Sequence, residues 1–156
     1  MIKRFFLACL TILSVFICCT FFFSHIESRI KLVTTTQTLN NSDYMLLARI
    51  ISAESRGEPY EGQVAVGAVI LNRIEHPSFP DTMSGVIYQP LAFSCVDDGQ
   101  INEPIAESAY KAATDALNGW DPSGGAIYYY NPVTATSKWI RSRTIIKQIG
   151  RHVFCL

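Results

Sequence analysis

The sequence predicts a helix-rich α+β domain with a small antiparallel sheet, and three observations carry that expectation. A capped apolar stripe begins at Ser42, and a near-continuous apolar run follows from Tyr60 to Arg73. Near the C-terminus, a tyrosine-rich segment is bounded by glycine and proline. The first two have the length and spacing of helices, the third the composition of a strand.

In chain order, Ser42 is a suitable N-cap and Asp43 suits a helix's first turn, so a first helix is expected to run to about Ser55. Gly57 and Pro59 end it. The segment around "QVAVGAVILN" is apolar nearly all round and fits a buried strand or a buried helix; its length and its small residues Ala65, Gly67 and Ala68 favour a central helix. "HPSFP" reads as a loop, and Asp81 or Thr82 caps a short helix through Tyr88. "LAFSCVDDGQIN" reads as irregular, with a turn at Asp98-Gly99. A third long helix is expected over 103–118, capped by Asn102, with Pro104 near its start and Gly119 past its end. Its packing face would be Ala106, Ala109, Ala113, Ala116 and Leu117. Ala126–Tyr130 reads as a strand, and Val153–Leu156 either pairs with it or follows it.

Residues 1–24 are read as a transmembrane anchor or a signal peptide. Lys3 and Arg4 precede an uncharged run from Phe5 to Ser24. As a helix, Phe5–Phe23 would reach ~28 Å, close to a bilayer's hydrocarbon thickness. The run ends in three phenylalanines with no small-x-small cleavage site, which favours a retained anchor over a cleaved signal. Either way, the basic flank keeps the start of the chain in the cytoplasm and places the rest outside it. The polar stretch over 25–41, with "TTTQTLNNS", reads as a tether, and 42–156 as the domain.

Thirteen basic residues balance thirteen acidic ones without blocks of like charge, which argues against nucleic acid as a partner. His25, His76 and His152 are scattered, so neither a metal nor another cofactor is expected. Cys95 and Cys155 fall outside the apolar segment, where a disulfide is permitted but not required.

Glu54 is the residue that asks for an explanation. It continues the stripe of Leu47, Ile50 and Ile51, so a helix aims it along the face it buries. A carboxylic acid half-buried among apolar groups holds its proton more firmly and can donate it to a leaving oxygen. That is a recurrent arrangement for glycosidic-bond cleavage. The alternative is structural: Glu54 pairs with Arg49 or Arg56, or turns outward as the helix ends.

The stretch "ISAESRGEPYEGQVAVGAVILNRI" resembles the signature of the spore cortex-lytic enzymes and related bacterial cell-wall hydrolases of the SleB/CwlJ type. The likeness continues through "FPDTMSGVIYQPLAFSCVDDGQIN", "ALNGWDPSGGAIYYYNP", "ATSKWI" and "IGRHVF", in matching order from Ser42 to the C-terminus. It implies a lysozyme-like (lytic transglycosylase-like) fold and cleavage of peptidoglycan glycan strands between N-acetylmuramic acid and N-acetylglucosamine. It also implies that Glu54, in "A-E-x-R-G-E", is the general acid. Many relatives carry a separate peptidoglycan-binding domain, for which no room is expected before Ser42. Anchoring would then hold the enzyme near its polymer. Ser55 stands where relatives often have alanine.

Three readings follow. Members of the family are read mostly as lytic transglycosylases, in which the muramic 6-hydroxyl attacks and no second carboxylate is needed; that is the expectation here, with a role in spore cortex lysis. A hydrolytic muramidase of vegetative wall turnover would recruit a second carboxylate, Glu58, Glu61, Asp97 or Asp98 being the candidates. In plainer roles, Glu58 would pair with Arg56 and Glu61 would favour a helix N-terminus. The third reading, a non-catalytic wall-binding protein, is disfavoured by the intact motif. Substrate contacts are expected from Tyr128 and Tyr130, which share one strand face, and from Asn131, Gln63, Phe93, Ser94 and Trp139. Asn131 serves equally well as a turn residue before Pro132.

Overall fold

The computed structural model describes residues 41–156. The apolar segment, and the tether apart from Asn41, lie outside the described residues. Three helices form the body: α1 (Asn41–Glu54), α2 (Tyr60–Glu75) and, later in the chain, α5 (Glu107–Leu117). Between them come α3 (Met83–Ile87), α4 (Ser94–Asp97) and a 3₁₀ turn at Gln100–Asn102. The C-terminal part holds β1 (Tyr128–Tyr130), α6 (Lys138–Arg141), β2 (Ile145–Ile149) and β3 (His152–Cys155).

The core follows the apolar stripes. Leu47, Ile50 and Ile51 of α1 meet Val64, Val66, Val69 and Ile70 of α2, and Ala109, Ala112, Ala113 and Ala116 of α5 close the cluster. Small residues let the three axes approach. A Cβ on Gly67 would stand 2.8 Å from Ile51 Cδ1 and 3.2 Å from Ala116 Cβ, closer than packed side chains tolerate. The apolar run at 60–73 is thus the buried central helix its length favoured, and it extends to Glu75.

Several boundaries differ from expectation: β1 spans only Tyr128–Tyr130 of the expected 126–130, and the segment read as irregular holds α4 and the 3₁₀ turn. Ser42 lies inside α1 rather than capping it. Helix α5 starts at Glu107, not 103, and Asn102 belongs to the 3₁₀ turn. The cause is Pro104, which disfavours helical backbone in the residue before it. Glu103 accordingly sits at ψ 161°, and Ala106 precedes the helix with its N–H donated to Ser52 Oγ. Thr82, not Asp81, caps α3, accepting from the Gly85 N–H.

The sheet is antiparallel in the order β1-β3-β2. Tyr128 faces Cys155, Tyr129 faces Phe154 and Tyr130 faces Val153, so the C-terminal segment does pair with the tyrosine strand. Strand β2 was not expected: a bulge between Ile145 and Lys147 interrupts its register, and of its five residues only Ile149 is buried.

Helix α2 fixes the approach to β1. Asn72 Nδ2 donates to Asp121 Oδ2 and to the Ala126 carbonyl, both at 3.0 Å. Arg73 Nε donates to the Ile127 carbonyl at 2.7 Å. Asp121 also accepts from the N–H groups of Ser123 and Gly125 and from the Ser123 hydroxyl. Burial works against the Asp121 charge, but these donors outweigh it and hold the carboxyl below its ordinary range.

Candidate active site

Glu54 is the last residue of α1, half-buried, and it meets the sheet directly. The Tyr129 hydroxyl donates to its Oε2 at 3.0 Å. The Cys95 thiol, presented by α4, interacts electrostatically with the same carboxyl. Glu54 forms no ion pair with Arg49 or Arg56; Arg56 is bound to Glu103 instead, at 2.5 Å.

Burial sets the protonation of these neighbours. It raises the Tyr129 hydroxyl well above the tyrosine range; the Glu54 charge adds to the rise and Arg73 opposes it. It also raises the Cys95 thiol, again reinforced by Glu54. Both therefore stay neutral donors near neutral pH. The His152 ring, 5.1 Å from the Tyr129 ring, is pushed down by burial, although Glu58 and Glu54 pull the other way. Its Nδ1 is buried without a hydrogen-bond partner. Cys95 and Cys155 are both free and buried.

The turn after Glu54 is held by a different carboxylate. Glu58, 7% exposed, accepts from the Arg151 N–H at 2.9 Å and from Arg151 Nε at 2.7 Å. Its partner is thus Arg151 and not Arg56, as expected from the sequence. Burial opposes the Glu58 charge, but the Arg151 hydrogen bonds and the His152 and Arg151 charges outweigh it and hold the carboxyl below its ordinary range. A Cβ on Gly150 would lie 2.2 Å from Glu58 Oε2, so only glycine admits the carboxylate to this turn. Glu61 pairs with Lys147, and Asp98 accepts from Gln100. Asp97 is exposed at the end of α4.

An aromatic row includes Tyr128, which alternates with Tyr129 along β1 and so takes the other face of the strand. The Tyr128 ring lies 5.8 Å from Phe79 and 5.1 Å, edge to face, from Trp139. Trp139, on α6, is 50% exposed and has the Arg143 guanidinium 4.5 Å from its centroid. Tyr130 is half-buried on the Tyr128 face of the strand.

The other expected contacts fall elsewhere. Phe93 is 4% exposed and packs in the core beneath Arg73. Ser94 is exposed at the start of α4. Asn131 takes the turn role, its Oδ1 accepting from Val133 N–H. Gln63 donates to the Glu58 carbonyl and lines a pocket of about 240 Å³ with Ser52, Ser55, Arg56 and Ser108, a set that does not include Glu54. Tyr129 was missed. The signal for it was available: it alternates with Tyr128 and Tyr130, and a buried tyrosine hydroxyl requires a partner. No three His, Cys, Asp or Glu side chains among the described residues are placed to hold a metal ion.

One carboxyl group at a helix end, hydrogen-bonded to a buried tyrosine, sits on a fold that matches the catalytic domains of two solved enzymes. The Bacillus cereus SleB catalytic domain superimposes with a TM-score of 0.73 at 57% identity, covering 77% of this chain and 94% of that one. The catalytic domain of the germination-specific lytic transglycosylase SleB from Bacillus anthracis gives 0.74 at 57% identity, covering 77% and 98%. This is the lysozyme-like fold. Residues 57–155 match the family model described as Cell Wall Hydrolase, and the chain belongs to that family. A spore cortex-lytic enzyme of Bacillus cereus is 60% identical over 116 residues, 74% of this chain but 45% of that protein. The chain thus spans less than half the length of that curated relative.

Proposed function

We propose that this domain cleaves the glycosidic bond between N-acetylmuramic acid and N-acetylglucosamine in peptidoglycan, as a lytic transglycosylase acting outside the cytoplasm on spore cortex. The observation that carries the proposal is the Glu54–Tyr129 contact in a site whose other candidate carboxylates are engaged elsewhere or exposed. The names and identities of the relatives support the substrate and the germination context.

Because Tyr129 donates to Oε2, the transferable proton belongs on Oε1. Glu54 gives this proton to the glycosidic oxygen as the bond from the muramic C1 breaks, leaving an oxocarbenium-like centre and a carboxylate. The muramic 6-hydroxyl oxygen then bonds to C1 and its proton passes to Glu54. The acid is restored, and the product carries a 1,6-anhydro ring. Tyr128 and Trp139 are proposed to stack against the sugars, since aromatic planes suit their apolar faces. Residues 1–24 are proposed to supply export or anchoring.

Mass analysis of muropeptides released from purified cortex and vegetative peptidoglycan tests this. Anhydromuramic ends are expected; reducing muramic ends would show that water, not the 6-hydroxyl, is the acceptor.

A further inference from the structure

Over residues 122–156 the chain carries Lys138, Arg141, Arg143, Lys147 and Arg151 but no acidic residue, although its formal net charge is zero. Two of these cations find carboxylates from elsewhere in the fold: Lys147 binds Glu61 of α2, and Arg151 binds Glu58 just before it. The other three lie within residues 138–143. No carboxylate among the described residues is within ion-pair distance of any of them. Arg141 has a structural use. Its Nε donates to the Ala135 carbonyl and its Nη2 to those of Pro132 and Ala135, which ties the loop after β1 to α6.

Arg143 has no such use. Its guanidinium stands 4.5 Å from the ring centroid of Trp139, which is 50% exposed and meets Tyr128 edge to face at 5.1 Å. Its Nε is buried without a hydrogen-bond partner, and its terminal nitrogens donate to none of the described residues. An aromatic ring offsets part of the charge but offers no oxygen to the N–H fork. A guanidinium held on a ring with its donors unused suits a planar anion, because a carboxylate accepts two parallel N–H bonds from one arginine.

We propose that Arg143, carried on Trp139, forms a binding subsite for a free carboxylate of the peptide stems of peptidoglycan. The inference rests on the reading of peptidoglycan as the substrate, and it adds an ionic contact to the sugar contacts of Tyr128 and Trp139. Lys138 and Arg141 strengthen the positive field around the subsite. The polymer bears many stems, so the one held here need not belong to the sugar at Glu54.

The test is co-sedimentation, in mild detergent, of the full chain with purified peptidoglycan freed of attached phosphate polymers. The chain carries Glu54→Gln so that the polymer stays whole. One portion of polymer keeps its carboxylates, and in the other they are converted to neutral amides with carbodiimide and ammonia. Amidation should weaken binding about tenfold, on the scale of a charge-assisted bidentate pair. Adding Arg143→Gln should weaken binding to the native polymer by about as much. It should also leave amidation nearly without effect, since both changes remove the same contact. If Arg143→Gln does not fold, Arg143→Lys carries the comparison; it lacks the fork and should lose less on amidation than arginine does. Equal binding to the two polymers, or a full second loss when Arg143→Gln meets the amidated one, overturns the inference and leaves Arg143 a cap on Trp139. Muropeptide release by the wild-type chain is scored separately. Its absence would remove the reading of the substrate, whereas the carboxylate preference is read from binding alone.

Discussion

The Tyr129 hydroxyl bonds to Glu54 Oε2 at 3.0 Å, joining the end of α1 to the first strand across a separation of 75 residues. This contact couples the acid to the sheet. Helix α2 holds the other end of the arrangement through Asn72 and Arg73, which grip the two residues just before that strand.

Tyr129→Phe removes the donor and preserves the ring. The carboxylate formed in the transition state loses a hydrogen bond, so kcat should fall about tenfold, on the scale of one hydrogen bond to a charged group. KM should change little. Steady-state kinetics on peptidoglycan fragments check the split, and a change confined to KM would place Tyr129 in substrate binding instead.

Glu58→Gln should destabilise the domain by about 1–2 kcal/mol at neutral pH, allowing for the solvent exposure of Arg151. The sign with pH follows from a depressed carboxyl. Its contribution is present above the unfolded pKa and is lost as the pH falls through the folded one. The gap in melting temperature between wild type and variant should be full at neutral pH and should close as the pH drops below 4.5, the carboxyl's ordinary value. A gap that is unchanged in acid would mean that the Glu58 charge contributes nothing.

Gly67→Ala introduces a Cβ 2.8 Å from Ile51 Cδ1 and 3.2 Å from Ala116 Cβ. Overpacking costs about 1–3 kcal/mol, and the gain in helix propensity offsets up to about 1 kcal/mol. Net destabilisation of about 1 kcal/mol is expected in denaturant titrations, with unaltered activity per folded molecule.

Trp139→Ala tests the aromatic row. Half-exposed at its position on α6, Trp139 should affect stability by only about 0.5 kcal/mol. Its loss should raise KM several-fold while kcat holds. An unchanged KM would exclude the ring from sugar binding.

How legible was this in the sequence? The α1 stripe and the long α2 run announced themselves, because their burial is continuous and local spacing records it. The α5 start did not, since Pro104 acts on Glu103 whatever the apolar pattern beyond it. Strand β2 was silent: Ile145, Ile146, Lys147 and Gln148 are all exposed, so no alternation marks them. In the site, Glu54 was visible as a carboxylate on an apolar stripe, and the family resemblance gave that position a role. Alternation marked Tyr129 as the residue on the opposite strand face, but that it reaches Glu54, 75 residues away, is decided only by the tertiary fold. Likewise, Glu58 finds Arg151 at a separation of 93 residues, where a local reading offered Arg56.

The central claim is that Glu54 supplies and then recovers the proton. Glu54→Gln keeps the shape of the side chain and still offers Oε2-like acceptor chemistry to Tyr129, but it removes the acidic proton. Product release from purified cortex peptidoglycan, followed by mass spectrometry, should fall at least about a hundredfold in this variant, with an unchanged melting temperature. Anhydromuropeptides appearing at the wild-type rate from Glu54→Gln would contradict the account.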